Sequence, residues 1–332
     1  MENHHNESPK DHAMFNARDP SRSEWSLEKL RKAREYFELI GSAALLVMDR
    51  NGAAAAWGDI TKPFRCNSIR KSFLSALYGI YISQGKINIH STLEDLGIND
   101  IQTLTSQEKK AQVLHLLKSR SGVYHEAASE TETMKKLRPV RGSHEPDTFW
   151  YYNNWDFNVL ESIFEQQTGT SVFQAFHEKI AIPLGMEDFS LEQTEVMKQE
   201  QFSMHAAHHY RMSTRDLARF GMLYLENGKW GGKQIVPESW VKESTQSYSF
   251  MKKWGTDYGY GYLWKVLEGR IFKGLGMFEA SGSGGQRVSI FRNRGIVIVH
   301  RADTDKGDLI SGSDILKLYE LIVDGLQLNT GE

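Results

Sequence analysis

Ser68 and Lys71 stand three residues apart in "NSIRKSFLSALYGIYISQGK". A serine hydroxyl becomes an effective nucleophile when a neighbouring base takes its proton. On a helix, positions i and i+3 share a face, with Cβ atoms about 5–6 Å apart, so a lysine amine there can reach back to the serine oxygen. That amine is a base only when neutral, which requires burial or a nearby cation. The spacing alone decides nothing, because it also occurs at Ser26/Lys29, Ser83/Lys86, Ser106/Lys109, Ser239/Lys242 and Ser249/Lys252. Ser26/Lys29 lies among Glu28, Arg31 and Lys32, and Ser106/Lys109 sits in the polar first turn "TSQEKK". Ser83/Lys86 spans a helix end at Gly85, and the last two pairs fall in charged text. Only Ser68/Lys71 opens a strongly apolar helix, with Ile69, Phe73, Leu74, Leu77 and Ile80. A helix apolar on nearly every side is buried. Ser68 at its N-terminus would meet free backbone N–H groups and the positive end of the dipole, which favour developing negative charge. On this stretch alone, a capping serine with a lysine reaching out to solvent is an equally good account.

Other chemistries find less support. His205 and His209 have i,i+4 spacing in "HAAHHYRMS", but no glutamate accompanies them as in His-Glu-x-x-His, so they read with His208 as part of a strand or loop near a cleft rather than as a metal site. His125 reads as packing or as pocket lining. Gly-x-Ser-x-Gly is absent, which disfavours the strained serine elbow of α/β-hydrolases, and no glycine-rich phosphate loop occurs, so no cofactor is expected. Arg215-Asp216 reads as a helix start with an internal ion pair. One cysteine, Cys66, excludes an intrachain disulfide and suggests a reducing, cytoplasmic setting. The 332-residue chain has a net charge of -2, so no basic field points to nucleic acid or an anionic membrane, and no apolar run is long enough to span a bilayer.

The elements that must position these residues follow from the pattern. Residues 1–23 are polar, include His4, His5 and His12, and read as a flexible lead without an apolar signal segment. Ser21-x-x-Glu24 predicts a capped helix through "WSLEKLRKAREYFELIG". Two apolar runs separated by Arg50-Asn51-Gly52 predict a hairpin. Residues 68–225 read as mainly helical, with Thr105-x-x-Glu108 as a cap and Gly169 and Gly228 as helix ends. "YGYGYLWKVL", "RVSIFRN" and "GIVIVHRA" predict strands, and "SDILKLYELIVDGL" predicts a closing helix. Strands at both ends imply an α+β architecture: one sheet domain from 24–67 and 226–332, with the helical segment inserted. The cleft between them is the expected site.

Several ordered blocks carry a resemblance: "NSIRKSFLSALYGIYISQGKINIHSTLEDLGI", "VLHLLKSRSGVYH", "FWYYNNWDFNVLESIFEQQTG", "IPLGMEDF", "YRMSTRDLARFGMLYLENGKWGGKQIVPESWV" and "EASGSGGQRVSIF". Together, over roughly Ile40 to Leu326, they resemble the serine β-lactamase and penicillin-binding-protein superfamily, most closely its class C-like branch. The resemblance implies the β-lactamase/transpeptidase-like fold, Ser68 as acylated nucleophile and Lys71 as general base. Tyr-x-Asn occurs as Tyr151/Asn153 and Tyr152/Asn154. Family spacing favours Tyr152, implied to relay the serine proton with a pKa lowered by Lys71, and Asn154, implied to bond Lys71 or substrate. The family's Lys-Thr-Gly block reads here as Ala280-Ser281-Gly282, followed by Ser283. The N–H groups of Ser68 and Ser283 are therefore implied to form an oxyanion hole. Ala280 replaces the lysine that grips a substrate carboxylate, and Arg287 is a candidate substitute. The glycines at 282, 284 and 285 are expected to let substrate approach the backbone. Tyr124, Trp150, Trp155, Gln286 and Arg287 are candidate pocket residues. The implied activity is hydrolysis of an ester or amide bond in a small substrate through an acyl-enzyme. β-Lactamase or D-amino-acid peptidase action is the alternative, and a non-catalytic scaffold the reading from another class.

Overall fold

The computed structural model describes residues 25–253, 256–269 and 272–326; the polar lead and the Ser21/Glu24 pair lie outside them. Helix α1 (Leu27–Leu39) is capped by Ser26, whose side chain accepts from the Lys29 N–H, and it buries Leu30, Ala33 and Phe37. Arg50 and Asn51 join β1 (Ala44–Asp49) to β2 (Gly52–Gly58) in the predicted hairpin. Strand β3 (Phe64–Arg65) runs into a tight turn at Asn67–Ile69, then into α2 (Arg70–Ser83). Every residue of α2 from Arg70 to Tyr81 is buried, as its apolar composition requires.

The middle of the chain supplies α3 (Val113–Leu117), α4 (Glu132–Leu137), α5 (Asn154–Thr168) and α6 (Val172–Phe176), then β4 (Thr194–Met197) and β5 (Ala207–Met212). Thr105 and Glu108 cap each other, through Glu108 N–H to Thr105 Oγ1 at 3.2 Å and Thr105 N–H to Glu108 Oε2 at 2.8 Å. The helix they open is a single short turn, Glu108–Lys110. Gly169 closes α5 in the left-handed region. Helix α7 (Thr214–Leu225) follows, capped by Ser213. The internal ion pair of this helix start joins Asp216 to Arg219, three residues on at 2.7 Å, and not to Arg215, because successive helical residues point apart. Asp216 accepts from the backbone N–H groups of Glu187, Asp188 and Phe189, while Arg215 binds the Asp188 carboxylate. A small hairpin, β6 (Lys229–Trp230) and β7 (Lys233–Gln234), and α8 (Glu238–Ser244) lead back to the sheet.

The final strands are β8 (Ser249–Lys253), β9 (Thr256–Tyr260), β10 (Lys265–Leu267), β11 (Met277–Gly282), β12 (Gln286–Phe291) and β13 (Ile296–Arg301), before α9 (Gly312–Asp324). With β1 and β2 they form one antiparallel sheet in the order β2-β1-β13-β12-β11-β10-β9-β8. Strands from both ends of the chain therefore meet at the β1–β13 pair. α1 and α9 cover one face, over Leu45, Val47, Phe291 and Ile298. α7 lies on the other face against β1, β12 and β13, although its sequence falls at the end of the helical segment. The fold is α+β, of the β-lactamase/transpeptidase type.

One predicted strand is broken. "YGYGYLWKVL" spans the end of β9, a turn at 261–264 and β10, with Leu263 in the left-handed region at φ +63°. That strain is held by tertiary bonds: Leu263 N–H donates to Leu117 O at 3.1 Å, and Ser72 Oγ donates to Leu263 O at 2.9 Å.

Candidate active site

Three segments converge on Ser68. Asn67 takes the left-handed conformation (φ +49°), unusual for a residue with a side chain, and turns the chain sharply from β3 into α2. Ser68 lies in that turn and Lys71 is the second residue of the helix. Lys71 Nζ donates to Ser68 Oγ at 2.7 Å. Among the Ser-x-x-Lys pairs, Lys29 is instead bound to Asp324 and Lys242 to Glu238.

Lys71 is only 3% exposed. Burial, then the neighbouring Arg70, then Lys265 hold its pKa well below the usual lysine range, while Glu161 opposes them. Its Nζ also sits 5.0 Å and 4.7 Å from the ring centroids of Tyr152 and Phe157, which favours the charged form. Such a cation–π contact is worth about 0.5–2 kcal/mol. Burial outweighs these contacts, and the net displacement of the lysine pKa is downward.

Tyr152 lies beside Ser68 in the lining of the same cleft. Its pKa departs from expectation: burial raises it, and the lowering by Ser68, Arg70 and Arg287 does not compensate. The phenol therefore keeps its proton at neutral pH. Asn154, the first residue of α5, lines the same cleft. Its Nδ2 donates to Ser129 O at 2.6 Å, while its Oδ1 is buried without a partner among the described residues.

The end of β11 closes the other side. A side chain at Gly282 would meet Cys66 O at 2.5 Å, and Asn67 Nδ2 donates to Ser283 O at 2.9 Å. Gly282 thus serves the approach of the strand to the nucleophile turn rather than the approach of substrate. Gly284 takes φ +78° where a Cβ would strike Thr304 Cγ2 at 2.4 Å. These contacts bring the Ser283 segment against the Ser68 turn.

A different strand brings a cation beside this block. Ala280 is fully buried in the core. On the neighbouring strand, Lys265 pairs in register with Glu279, and its Nζ donates to Ser281 Oγ at 3.0 Å. Lys265, Ser281, Ser68, Lys71 and Tyr152 line one hollow. Arg287, opposite Ser281 in the ladder, also reaches the cleft, donating to Gly282 O at 2.8 Å and lying 3.5 Å from Glu279 Oε1. Lys265 is hidden in the sequence because its segment reads as one strand. The signal was Gly261, since glycine inside a strand pattern marks a bend.

Of the candidate pocket residues, Trp150 lines the cleft, its ring 5.5 Å from Tyr260. Three others do not. Trp155 is core, its indole donating to Asp100 Oδ2 at 2.7 Å. Tyr124 turns to His144 Nδ1 at 3.1 Å. Gln286 is fully buried, accepting from Arg301 Nε at 2.6 Å and donating to Ala302 O at 2.8 Å. In each case a tertiary polar partner holds the side chain away from the cleft.

His125 is packed beside Glu108, 3.3 Å away. The histidines at 205, 208 and 209 take separate environments: His205, before β5, binds Ser162 Oγ and Asn99 O, and His208 of β5 binds Glu161 and Glu165. His209 lines the cleft, its pKa pushed down to about 3 by burial and by Arg70 and Lys71. No group of side chains among the described residues has the makings of a metal site, and no described helix is long and apolar enough to cross a membrane.

The profile of the beta-lactamase family matches residues 34–309. Among solved structures, a protein assigned as a 6-aminohexanoate-dimer hydrolase from Bacillus anthracis is similar, with a TM-score of 0.67 and 20% identity over 88% of this chain and 80% of that one. A penicillin-binding-protein homologue from Caulobacter crescentus gives a TM-score of 0.67 and 15% identity over 90% and 98%. A beta-lactamase from Mycobacterium bovis gives 0.62 and 16% over 88% and 97%. At these identities the likeness is one of fold. No curated protein matches the chain. Because the family profile spans most of its length and the fold agrees throughout, the chain belongs to the beta-lactamase family.

Proposed function

We propose that this protein is a serine hydrolase that cleaves an ester or amide bond through an acyl-enzyme. The observation that carries the reading is the 2.7 Å contact between Ser68 Oγ and a buried Lys71 whose pKa burial and neighbouring cations hold well below the usual lysine range. Lys71 takes the proton as Ser68 attacks the carbonyl carbon. The N–H groups of Ser68 and Ser283 receive the oxyanion, a contribution of roughly 10²–10³ in rate for each donor. Tyr152, protonated in the free enzyme, gives its proton to the leaving group and is restored through Lys71. Water then enters by the same route in reverse and releases the acid.

The test is labelling by a fluorophosphonate together with the burst from p-nitrophenyl acetate. Ser68→Ala abolishes both, and Lys71→Ala lowers acylation by at least about 10²-fold while folding normally. A parent protein that neither labels nor turns over refutes the reading; labelling that survives Ser68→Ala refutes the nucleophile. The cations at Lys265 and Arg287 favour a second reading, in which the amide substrate carries a carboxylate, as β-lactams and D-alanyl peptides do. Nitrocefin and a D-alanyl-D-alanine peptide test it directly.

A further inference from the structure

The cleft is far larger than the reacting atoms need. Its volume is about 800 Å³, toward the upper end of the roughly 300–1,000 Å³ that encloses a drug-sized ligand. Its composition is divided. Ser68, Lys71, Lys265, Ser281 and Arg287 gather at the end of β11, where the charges are. Met134 and Leu137 from α4, Trp150, Met251 from β8 and Tyr258 from β9 form a mainly apolar wall.

That wall leaves apolar surface uncovered at the mouth. Leu137 is 63% exposed although it lines the cleft, and no residue of α4 is buried. Next to Gly284, which lines the cleft, Leu309 is 75% exposed, with Cδ2 3.3 Å from where a Gly284 Cβ would lie. The polar α4 is nonetheless tied in place: Tyr151 OH donates to Met134 O at 2.6 Å, and Arg138, just past its end, pairs with Glu130. A helix held by its backbone, with its two apolar side chains turned to a cavity, is arranged to cover something apolar inside that cavity. Methionine suits a chain of variable position, being flexible and polarizable.

We propose that the cleft takes substrates bearing a linear apolar chain of about eight or more carbons, laid between the scissile bond and the mouth along Met134, Leu137, Trp150 and Met251. The inference rests on the serine-hydrolase reading, and it replaces a small substrate with an elongated one. The chain belongs to either half of the substrate, the acyl group or the alcohol, and two substrate series separate these sources. One is p-nitrophenyl acetate through decanoate, below their micelle concentrations; the other is methyl through decyl acetate, followed by acid release. In one series kcat/KM rises up to about fourfold for each methylene buried, and at least about tenfold from the two-carbon to the eight-carbon member. Leu137→Asp, an exposed position, lowers the octyl-to-ethyl or octanoate-to-acetate ratio in that series. A flat or falling trend in both series overturns the proposal, as does an unchanged ratio in Leu137→Asp. Labelling rates with fluorophosphonates of two and ten carbons repeat the comparison without turnover. A protein that labels equally fast with both retains its nucleophile and loses the chain site; one that labels with neither loses both readings.

Discussion

Lys71 is a base only while uncharged, and burial, Arg70 and Lys265 all act in that direction. Removing Lys265 takes away a neighbouring positive charge, so the ammonium form of Lys71 becomes easier to keep. The acidic limb of the kcat/KM–pH profile then moves to higher pH in Lys265→Met, and the rate at neutral pH falls on the order of tenfold. Lys265→Arg preserves the charge and holds the limb near its original position. A pH–rate series on the three proteins checks this; a Met variant with the parent's profile removes Lys265 from the electrostatics of the base. Ser68 and Lys71 were legible in the sequence because an apolar helix follows them and a Tyr-x-Asn block stands downstream. Lys265 was not, because its role comes from a register, Lys265 opposite Glu279, that no local pattern contains.

Beneath the nucleophile, α2, α5 and β5 are joined by charge. Arg70 of α2 pairs with Glu161 of α5, which also binds His208 of β5, and His208 reaches Glu165 one turn further on. Burial opposes a charge on His208, but Glu161 and Glu165 raise its pKa to about 9. A folded pKa above the unfolded value of about 6.5 means that the stabilisation is complete below pH 6.5 and is lost as pH rises to about 9. The contribution is on the order of 3 kcal/mol. Thermal unfolding from pH 6 to 10 therefore shows a falling Tm that flattens in His208→Gln; an equal fall in both excludes His208 as the cause. The elements themselves were largely readable: the Asn-Gly hairpin, the α5 stop at Gly169 and the burial of α2 all follow from local sequence. The 261–264 turn was hidden because its conformation is imposed by Ser72 and Leu117, remote in sequence.

Across the whole molecule, one buried side chain ties the large sheet to the segment that carries the nucleophile. Arg301 of β13 donates to Gln286 Oε1 at 2.6 Å, Met212 O at 2.8 Å, Phe64 O at 3.0 Å and Arg65 O at 2.9 Å. Arg301→Ala strands these acceptors and lowers stability by about 3–5 kcal/mol, read as a shifted urea midpoint, with activity falling as the cleft walls separate. A midpoint within about 0.5 kcal/mol of the parent excludes this tie. In sequence Gln286 stands beside the glycines and so reads as a pocket residue; the partner that claims it lies fifteen positions away.

The pairing of Ala44 with Arg301 also sets a timetable. During synthesis β1 emerges roughly 250 residues before its partner, a wait on the order of 12–50 s at about 5–20 residues per second. Throughout that interval Leu45, Leu46, Val47 and Met48 lack the strand that will cover their edge. Nascent chains therefore carry an uncovered apolar strand edge until β13 has left the ribosome. Chains halted just before Ile296 accumulate as aggregates, while cooler growth raises the soluble yield of the full sequence.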